Sequence, residues 1–288
     1  MPFPDSDFAF TAATIRALID EATPGWRTTE PSFLGRGYDV EVWRLGPDVA
    51  VRVPRRRVAF DLVAKEIAWL PRVPHDLALA VPHVLASSLG SGLFPGPYFV
   101  TQLLDGTTAQ HLSLAQVATS AGALGATLAG IHQLDSSGMP FNSVRGVPLR
   151  ERLVYFEREV VDLPAPLVAV ARRYVAVAVD EPVDRDLVFM HGDVHRANLM
   201  QIDGSLTSLI DFGDLGYGDR AGDLGGAIFS VGVDGVADLL AGYGPVSTST
   251  LVKAFGWACY FAVRNYGVGD RTAETAVEFL TTLAAHGH

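Results

Sequence analysis

The segment "VFMHGDVHRANLMQIDGSLTSLIDFGD", residues 188–214, places charged and polar side chains between apolar runs. Its main polar residues are His191, Asp193, His195, Arg196, Asn198 and Asp211. The flanking runs have the composition of short buried strands, and "DGS" between the last two predicts a tight turn. Because a hairpin returns its two ends side by side, we expect Asn198 and Asp211 to lie together at one mouth. Asp193 is expected on the loop that leads in.

The side chains at this mouth would form a set of hard oxygen ligands. An amide oxygen from Asn198 beside the Asp211 carboxylate suits Mg²⁺, which keeps several waters and bridges phosphates. A separate carboxylate, that of Asp193, could accept a proton from a hydroxyl nucleophile. Turn capping by Asp and Asn is the alternative interpretation. It explains Asp203 and Gly204 well, but not further carboxylates flanked by large apolar residues.

The combined patterns HGDxHxxN and IDFGDxxxGDxxxDL span residues 191–224. They resemble the aminoglycoside phosphotransferase family of protein-kinase-like small-molecule kinases, which includes macrolide phosphotransferases. The resemblance implies that Asp193 is the catalytic base and that Asn198 and Asp211 hold Mg²⁺. It also implies that His191 fixes the loop by hydrogen bonding. Asp219 and Asp223 are expected to cap a helix and anchor the catalytic loop.

The same resemblance implies an α+β, bilobal, protein-kinase-like fold. A small antiparallel sheet carrying one helix, over 1–104, would be the nucleotide-binding N-lobe. A mainly helical C-lobe, over 105–288, would be catalytic and bind the substrate. Sequence periodicity agrees with this division, since 1–104 reads as about five short strands with an internal helix, preceded by a helix capped by Thr11. The C-lobe pattern predicts one long helix over 113–134 and further helices over 148–181 and 235–286.

Two motifs in the first lobe are expected to hold the nucleotide. "GRGYDVEV" reads G-x-G-x-x-V-x-V against the kinase glycine-rich loop, so Gly35 and Gly37 would bring backbone amides to the phosphates, with Val40 in place of the third glycine. Read alone, this stretch would be an ordinary hairpin turn. In "VAVR", residues 49–52, Arg52 stands where kinases have Lys, and its expected carboxylate partner is Glu66.

Further nucleotide contacts follow from the resemblance alone. "VTQLLDG" would be the connector between the lobes, where backbone groups of Gln102 and Leu104 would bind a purine edge. Arg55, Arg56 and Arg57 are interpreted as solvated charge at the end of a strand.

The remaining polar residues near the catalytic loop have less specific signals. His195 and Arg196 follow Asp193 closely, and one of them is expected to face the γ-phosphate. Asp214 would line the substrate side. His132 is interpreted as a packed histidine at a helix end.

Composition limits the possible partners. The 288 residues carry 22 basic and 32 acidic side chains, for a net charge of −10. Residues 1–104 have 10 basic and 11 acidic residues, whereas 105–288 have 12 and 21. An acidic second lobe disfavours nucleic acid or an anionic membrane and favours a cationic ligand, although acids also serve solubility. One cysteine excludes an internal disulfide framework. With no evident signal peptide or long apolar run, we expect a cytoplasmic protein.

We therefore predict an ATP- or GTP-dependent, Mg²⁺-requiring O-phosphotransferase acting on a small-molecule hydroxyl, with an aminoglycoside-like antibiotic as the first candidate acceptor. A macrolide is second, because macrolide kinases share an "RxPRR"-like strand but usually have His at the position of Asn198. A metabolite such as an amino alcohol or a sugar is third. A catalytically silent nucleotide-binding pseudokinase is the alternative of another class. A metal-dependent nuclease or hydrolase is disfavoured because only two carboxylates, those of Asp193 and Asp211, are clearly placed.

Overall fold

The computed structural model describes residues 4–26 and 28–286 and divides the chain into two compact units. The first unit comprises the chain up to His75 together with Val81–Asp105, and the second comprises Asp76–Ala80 and the chain from Gly106 onward. The segment Asp76–Ala80 belongs to the second unit because Ala80 exchanges backbone hydrogen bonds of 2.9 Å with Thr207 and Leu209. The nucleotide-binding and catalytic assignments of the two lobes stay predictions.

The first unit is an antiparallel sheet with two helices. In chain order its elements are α1 (Ala12–Ala22), β1 (Ser32–Arg36), β2 (Val40–Arg44), β3 (Val49–Pro54), α2 (Phe60–Trp69), β4 (Val84–Ser88) and β5 (Tyr98–Gln102). The strand order is β1-β2-β3-β5-β4, so the five predicted strands and the internal helix are confirmed. Thr11 caps α1 by accepting a hydrogen bond from the backbone of Thr14, as predicted. Buried Ile15 and Ile19 of α1 pack in one cluster with Val51 and Tyr98.

The second unit is mainly helical. Its elements are β6 (Thr107–Thr108), α3 (Leu114–Ala118), α4 (Ala121–His132), α5 (Leu153–Glu159), α6 (Ala165–Asp180), β7 (Val188–Met190), β8 (Leu199–Ile202), β9 (Ser205–Leu209), β10 (Gly216–Gly218), α7 (Ala221–Val231), α8 (Val236–Tyr243), α9 (Thr248–Tyr266) and α10 (Asp270–Ala285). Strands β6, β8 and β9 form one small sheet, and β7 pairs with β10 in another.

The single helix predicted over 113–134 is wrong, because the chain breaks into α3 and α4. Ser120 leaves helical geometry, with φ −113° and ψ 14°, and its hydroxyl accepts a hydrogen bond of 3.0 Å from the Leu206 amide. The Thr119 hydroxyl donates to the Gln116 carbonyl at 2.7 Å. Serine and threonine side chains compete with helical hydrogen bonds in this way, and apolar periodicity does not register that competition.

Helix α7 packs inside the second unit, since all of its residues are buried. Gly225 lets it approach α9, because a Cβ there would lie 2.4 Å from the Trp257 side chain. Among the described residues, no single helix has the length and apolarity needed to cross a membrane. One pair, Ala221–Val231 with Val233–Tyr243, meets that test jointly but is bent by 116°.

Candidate active site

The predicted hairpin is present and brings Asn198 next to the DFG segment. Leu199 pairs with Leu209, and the Ile210 amide donates to the Asn198 carbonyl at 2.9 Å. Asp203 and Gly204 both have positive φ, 51° and 85°, as the tight turn requires. Asp211 therefore directly follows the residue, Ile210, whose backbone hydrogen bond joins the two ends of the hairpin. Its own backbone is left-handed, with φ 63° and ψ 75°.

The loop that carries Asp193 is held by a buried carboxylate on α7. Asp223 accepts the backbone amides of His191 and Gly192, at 2.7 and 2.9 Å. The Nε2 of His191 donates to the Ile210 carbonyl at 3.0 Å, and its Nδ1 accepts the Asp193 amide at 3.1 Å. Burial lowers the pKa of His191, which favours the neutral ring that this bonding requires. The predicted anchoring by Asp223 and His191 is confirmed.

Gly192 explains why the loop reads HGD. Its φ is +84°, and a Cβ there would lie 2.2 Å from the Asp214 carbonyl oxygen and 2.5 Å from the Asn142 side-chain amide. A side chain at this position would face both a strained backbone and a collision. The glycine thus lets the loop that carries Asp193 lie directly against the segment that follows DFG.

Asp193 is gripped on both of its carboxylate oxygens. Arg145 Nη2 lies 2.6 Å from Oδ1, while His195 Nε2 and Asn198 Nδ2 lie 3.3 and 3.2 Å from Oδ2. Asn198 Nδ2 also donates to the Asp193 backbone carbonyl at 2.9 Å. Burial alone would raise the pKa of Asp193, but the neighbouring His195 and Arg145 outweigh it and hold that pKa well below its usual value.

Arg145 is the site residue that sequence reasoning missed. Besides Asp193, its guanidinium contacts Asp214 Oδ2 at 2.9 Å and the Gly192 carbonyl at 2.6 Å. Burial acts to lower the pKa of Arg145, yet the charges of Asp193 and Asp214 raise it overall. Arg145 lies in an irregular segment 48 residues before Asp193, where periodicity gives no signal. The predicted residue Asp214 therefore joins the cluster through Arg145.

Of the two residues expected to face the γ-phosphate, Arg196 is directed elsewhere. Its guanidinium donates to the Leu112 carbonyl at 2.7 Å and to the Thr275 hydroxyl, and the residue is buried. Its N-terminal neighbour His195 remains beside Asp193. Arg196 thus ties the catalytic loop to α10, and we do not retain it among the catalytic residues.

A cavity of about 280 Å³ opens beside Asp193 within the second unit. Phe229, Tyr260 and Phe261 supply apolar lining, and Arg145 and Arg264 supply positive charge. Among the described residues that line it, Asp193 is the one carboxylate. Arg264 is itself paired with Glu159 at 2.5 Å.

In the first unit, the predicted partnership of Arg52 and Glu66 is confirmed. Arg52 Nη2 lies 3.4 Å from Glu66 Oε2, and the Glu66 side chain is fully buried. Gly35 lies near the end of β1, and Gly37 lies in the turn between β1 and β2. Neither has positive φ, and a Cβ at either would meet nothing closer than 3.8 Å. The fold therefore does not itself require glycine at these two positions.

The connector residues differ in what their backbones can offer. The Gln102 amide donates to the His83 carbonyl at 3.0 Å within the sheet. A purine could therefore use only the carbonyl of Gln102. Leu104 lies two residues beyond the end of β5, outside the strand.

The interpretation of Arg55 as solvated charge is wrong. Arg55 is buried and donates to the backbone carbonyls of Gly37 and Pro4, each at 3.0 Å. The guanidinium thus joins the Gly37 carbonyl, in the turn after β1, to the Pro4 carbonyl, a role that a run of three arginines does not reveal. Arg56 pairs with Asp39, and Arg57 is exposed.

Comparison with known proteins agrees with this geometry. The family model described as "Phosphotransferase enzyme family" matches residues 30–259, most of the chain. An aminoglycoside 3'-phosphotransferase from Niallia circulans is 29% identical over 231 residues, covering 74% of this chain and 86% of that protein.

Two solved structures show the same fold at low identity. The GDP and kanamycin complex of APH(2")-IIia has a TM-score of 0.65 at 19% identity, covering 95% of this chain and 99% of that one. The macrolide 2'-phosphotransferase MphH from Brachybacterium faecium has a TM-score of 0.61 at 22% identity, covering 92% and 97%. The expected kinase-like α+β fold is confirmed. The prediction that the protein is a phosphotransferase is confirmed as well. The chain therefore belongs to the phosphotransferase enzyme family.

Proposed function

We propose that this protein transfers the γ-phosphoryl group of ATP or GTP to a hydroxyl of a small molecule. The observation that carries the proposal is the position of Asp193, on the wall of a cavity with both carboxylate oxygens held in place. Because burial does not raise its pKa overall, Asp193 stays ionised at neutral pH. It accepts a hydrogen bond from the acceptor hydroxyl, orients its oxygen for in-line attack, and receives the proton as transfer proceeds.

Asn198 and Asp211 are the proposed magnesium ligands. The Asn198 amide nitrogen is engaged by Asp193, so its oxygen is the atom of that side chain that suits a cation. Across residues 4–26 and 28–286, no three His, Cys, Asp or Glu side chains gather into a metal site. A two-ligand site fits Mg²⁺, which keeps waters and binds substrate phosphates. Bound there, it would neutralise phosphate charge.

The first unit supplies the proposed nucleotide contacts. Gly35 and Gly37 have no steric need to be glycine, and their missing side chains leave room for phosphate oxygens to approach the backbone. Arg52, oriented by Glu66, would contact the phosphates through its guanidinium. The carbonyl of Gln102 and the amide of Leu104 would bind the purine edge.

Two acceptor classes are supported by different observations. The curated relative acts, by its name, on aminoglycosides, and the net acidity of 105–288 suits a cationic acceptor. The cavity beside Asp193 instead combines three aromatic residues with two arginines and a single carboxylate, which suits an apolar acceptor of low positive charge. This composition favours a macrolide as the second candidate.

An assay of ADP or GDP release separates these possibilities. Purified enzyme with Mg²⁺ and either ATP or GTP would be tested with kanamycin, with erythromycin, and with an amino alcohol and a sugar. We expect release stimulated by at least one acceptor and abolished in Asp193→Asn with nucleotide still bound. Bound nucleotide without stimulation by any acceptor would favour a silent binding module. Near-normal turnover by Asp193→Asn would show that the role given to Asp193 is wrong.

A further inference from the structure

We propose that Arg145 is a positioning residue for phosphoryl transfer, holding the Asp193 carboxylate in the orientation that receives the acceptor hydroxyl. This inference rests on the proposed function, because it assigns Arg145 a role through Asp193. Arg145 itself lies outside both sequence motifs.

The guanidinium of Arg145 is a three-point clamp. Nη2 holds Asp193 Oδ1 at 2.6 Å, while Nη1 holds both Asp214 Oδ2 at 2.9 Å and the Gly192 carbonyl at 2.6 Å. Since the guanidinium is planar and rigid, three contacts fix its plane as well as its position. The two sides of the clamp come from the catalytic loop and from the segment after DFG.

A bracket of hydrogen bonds from the side chain and backbone of Asn142 in turn fixes Arg145. The Asn142 side-chain oxygen accepts the Arg145 amide at 2.8 Å, and the Asn142 side-chain nitrogen donates to the Asp214 carbonyl at 2.8 Å. The Asn142 amide donates to Tyr217 at 2.9 Å, and the Tyr217 amide donates to Pro140 at 3.1 Å. The main chain that carries Arg145 is thereby bonded to the segment that carries Asp214, so contacts within the protein hold the clamp together.

The two oxygens of the Asp193 carboxylate are held by different partners. Arg145 holds Oδ1, and His195 with Asn198 holds Oδ2, which prevents rotation of the group about its terminal bond. An ionised carboxylate offers about four lone-pair sites, so a hydroxyl can still bind without displacing these partners. Arg145 also lines the cavity, next to where the acceptor would lie. Without Arg145, Oδ1 loses its short ionic contact and the carboxylate gains rotational freedom.

The test compares Arg145→Met and Arg145→Lys with wild type, using whichever acceptor the wild-type enzyme phosphorylates. We expect Arg145→Met to lower kcat about 10²-fold, the scale of a misplaced catalytic group, with KM for the nucleotide within about twofold. Lysine keeps the charge but cannot contact both carboxylates through a planar fork. The kcat of Arg145→Lys should therefore be about tenfold higher than that of Arg145→Met. Arg172→Met, which removes an exposed arginine paired with Glu157, is the control for charge loss.

A double substitution distinguishes positioning from a general structural effect. If Arg145 acts through Asp193, adding Arg145→Met to Asp193→Asn should leave the residual rate within about twofold. A further large loss, or a single Arg145→Met that keeps kcat, would overturn the inference. If Arg145→Met does not fold, Asp214→Asn and Arg145→Lys test the same clamp, each expected to lower kcat about tenfold. Full activity in both would also overturn it.

Failure of the proposed function has a different signature. In that case wild type itself turns over no acceptor, and the clamp is judged from crystal structures of wild type and Arg145→Met. A displaced Asp193 carboxylate in the variant supports the inference. An unmoved carboxylate overturns it.

Discussion

His132 and Asp223 form a buried pair, with His132 Nε2 3.1 Å from Asp223 Oδ2, although 91 residues separate them. The other ring nitrogen of His132 lies 2.7 Å from the Tyr243 hydroxyl. Asp223 is also the acceptor for two backbone amides of the catalytic loop. The helix-end histidine predicted from sequence is therefore packed as expected, and it stabilises the carboxylate that anchors the loop.

The first prediction follows from this pair. Asp223→Ala would leave buried amides and His132 without their acceptor, so we expect the free energy of unfolding to fall by about 3 kcal/mol. Urea denaturation at pH 7 measures the change, and Asp238→Ala, an exposed acid on α8, should stay within about 0.5 kcal/mol. Equal losses from both variants would contradict the anchoring role of Asp223.

The pH dependence of this effect has a defined sign. Burial alone would raise the pKa of Asp223, but the bond and charge of His132 outweigh it, so the folded-state pKa is lowered. A lowered carboxylate pKa stabilises the fold above the unfolded value of about 4, and that contribution is lost as pH falls. The difference between wild type and Asp223→Ala should therefore be full at pH 6 and shrink in denaturation series run below pH 4.

A second prediction compares two glycines of similar backbone geometry. Gly192 and Gly204 have φ of +84° and +85°, but only Gly192 would place a Cβ against neighbouring atoms. We expect Gly192→Ala to cost about 3 kcal/mol, from strain and collision together, and Gly204→Ala about 1 kcal/mol, from strain alone. Thermal and urea unfolding of both variants measures the difference. Similar costs for both would mean that the loop can move away from Asp214.

The hairpin and the clamp differ in how far sequence could predict them. Alternating residues and the Asp203–Gly204 turn determine the hairpin, because its contacts lie within a dozen residues. The clamp depends on Arg145 meeting Asp193 and Asp214 across 48 and 69 residues, in a segment without regular structure. Local sequence patterns carry no information about contacts between residues so far apart in the chain. The spacing of Asn142 and Arg145 acquires a meaning only from the structure, where the Asn142 side chain bonds both the Arg145 amide and the Asp214 carbonyl.

A third prediction concerns acceptor charge. Arg264 lines the cavity and neutralises the Glu159 carboxylate. Arg264→Glu would remove that positive charge and add a second carboxylate beside Glu159. We expect kcat/KM for kanamycin to rise about tenfold relative to that for erythromycin. Arg172→Glu, an exposed change outside the cavity, is the matched control. An unchanged ratio would indicate that acceptor amines bind away from Arg264.

The single cysteine provides a fourth prediction. Cys259 lies fully buried in α9, and burial raises the pKa of its thiol above the ordinary value. Because the thiolate is the reactive form, Ellman's reagent at pH 8 should not react with the folded protein. In denaturant, one thiol per protein molecule should react with the reagent, and the reaction should proceed at the rate at which the protein unfolds. Rapid reaction without denaturant would show that α9 opens readily.

The last prediction separates the structural and nucleotide roles of the Arg52–Glu66 pair. Because the Glu66 side chain is fully buried, Arg52→Met would leave a buried charge without this partner and should cost about 3 kcal/mol of stability. Adding Glu66→Gln removes the buried carboxylate charge, and the double variant should recover most of that loss. Nucleotide affinity should stay about tenfold weaker in both variants, since neither restores a guanidinium for the phosphates. Calorimetric titration with ADP or GDP, beside thermal unfolding, makes the comparison. Affinity that recovered together with stability would show that Arg52 supports the sheet and does not contact the nucleotide.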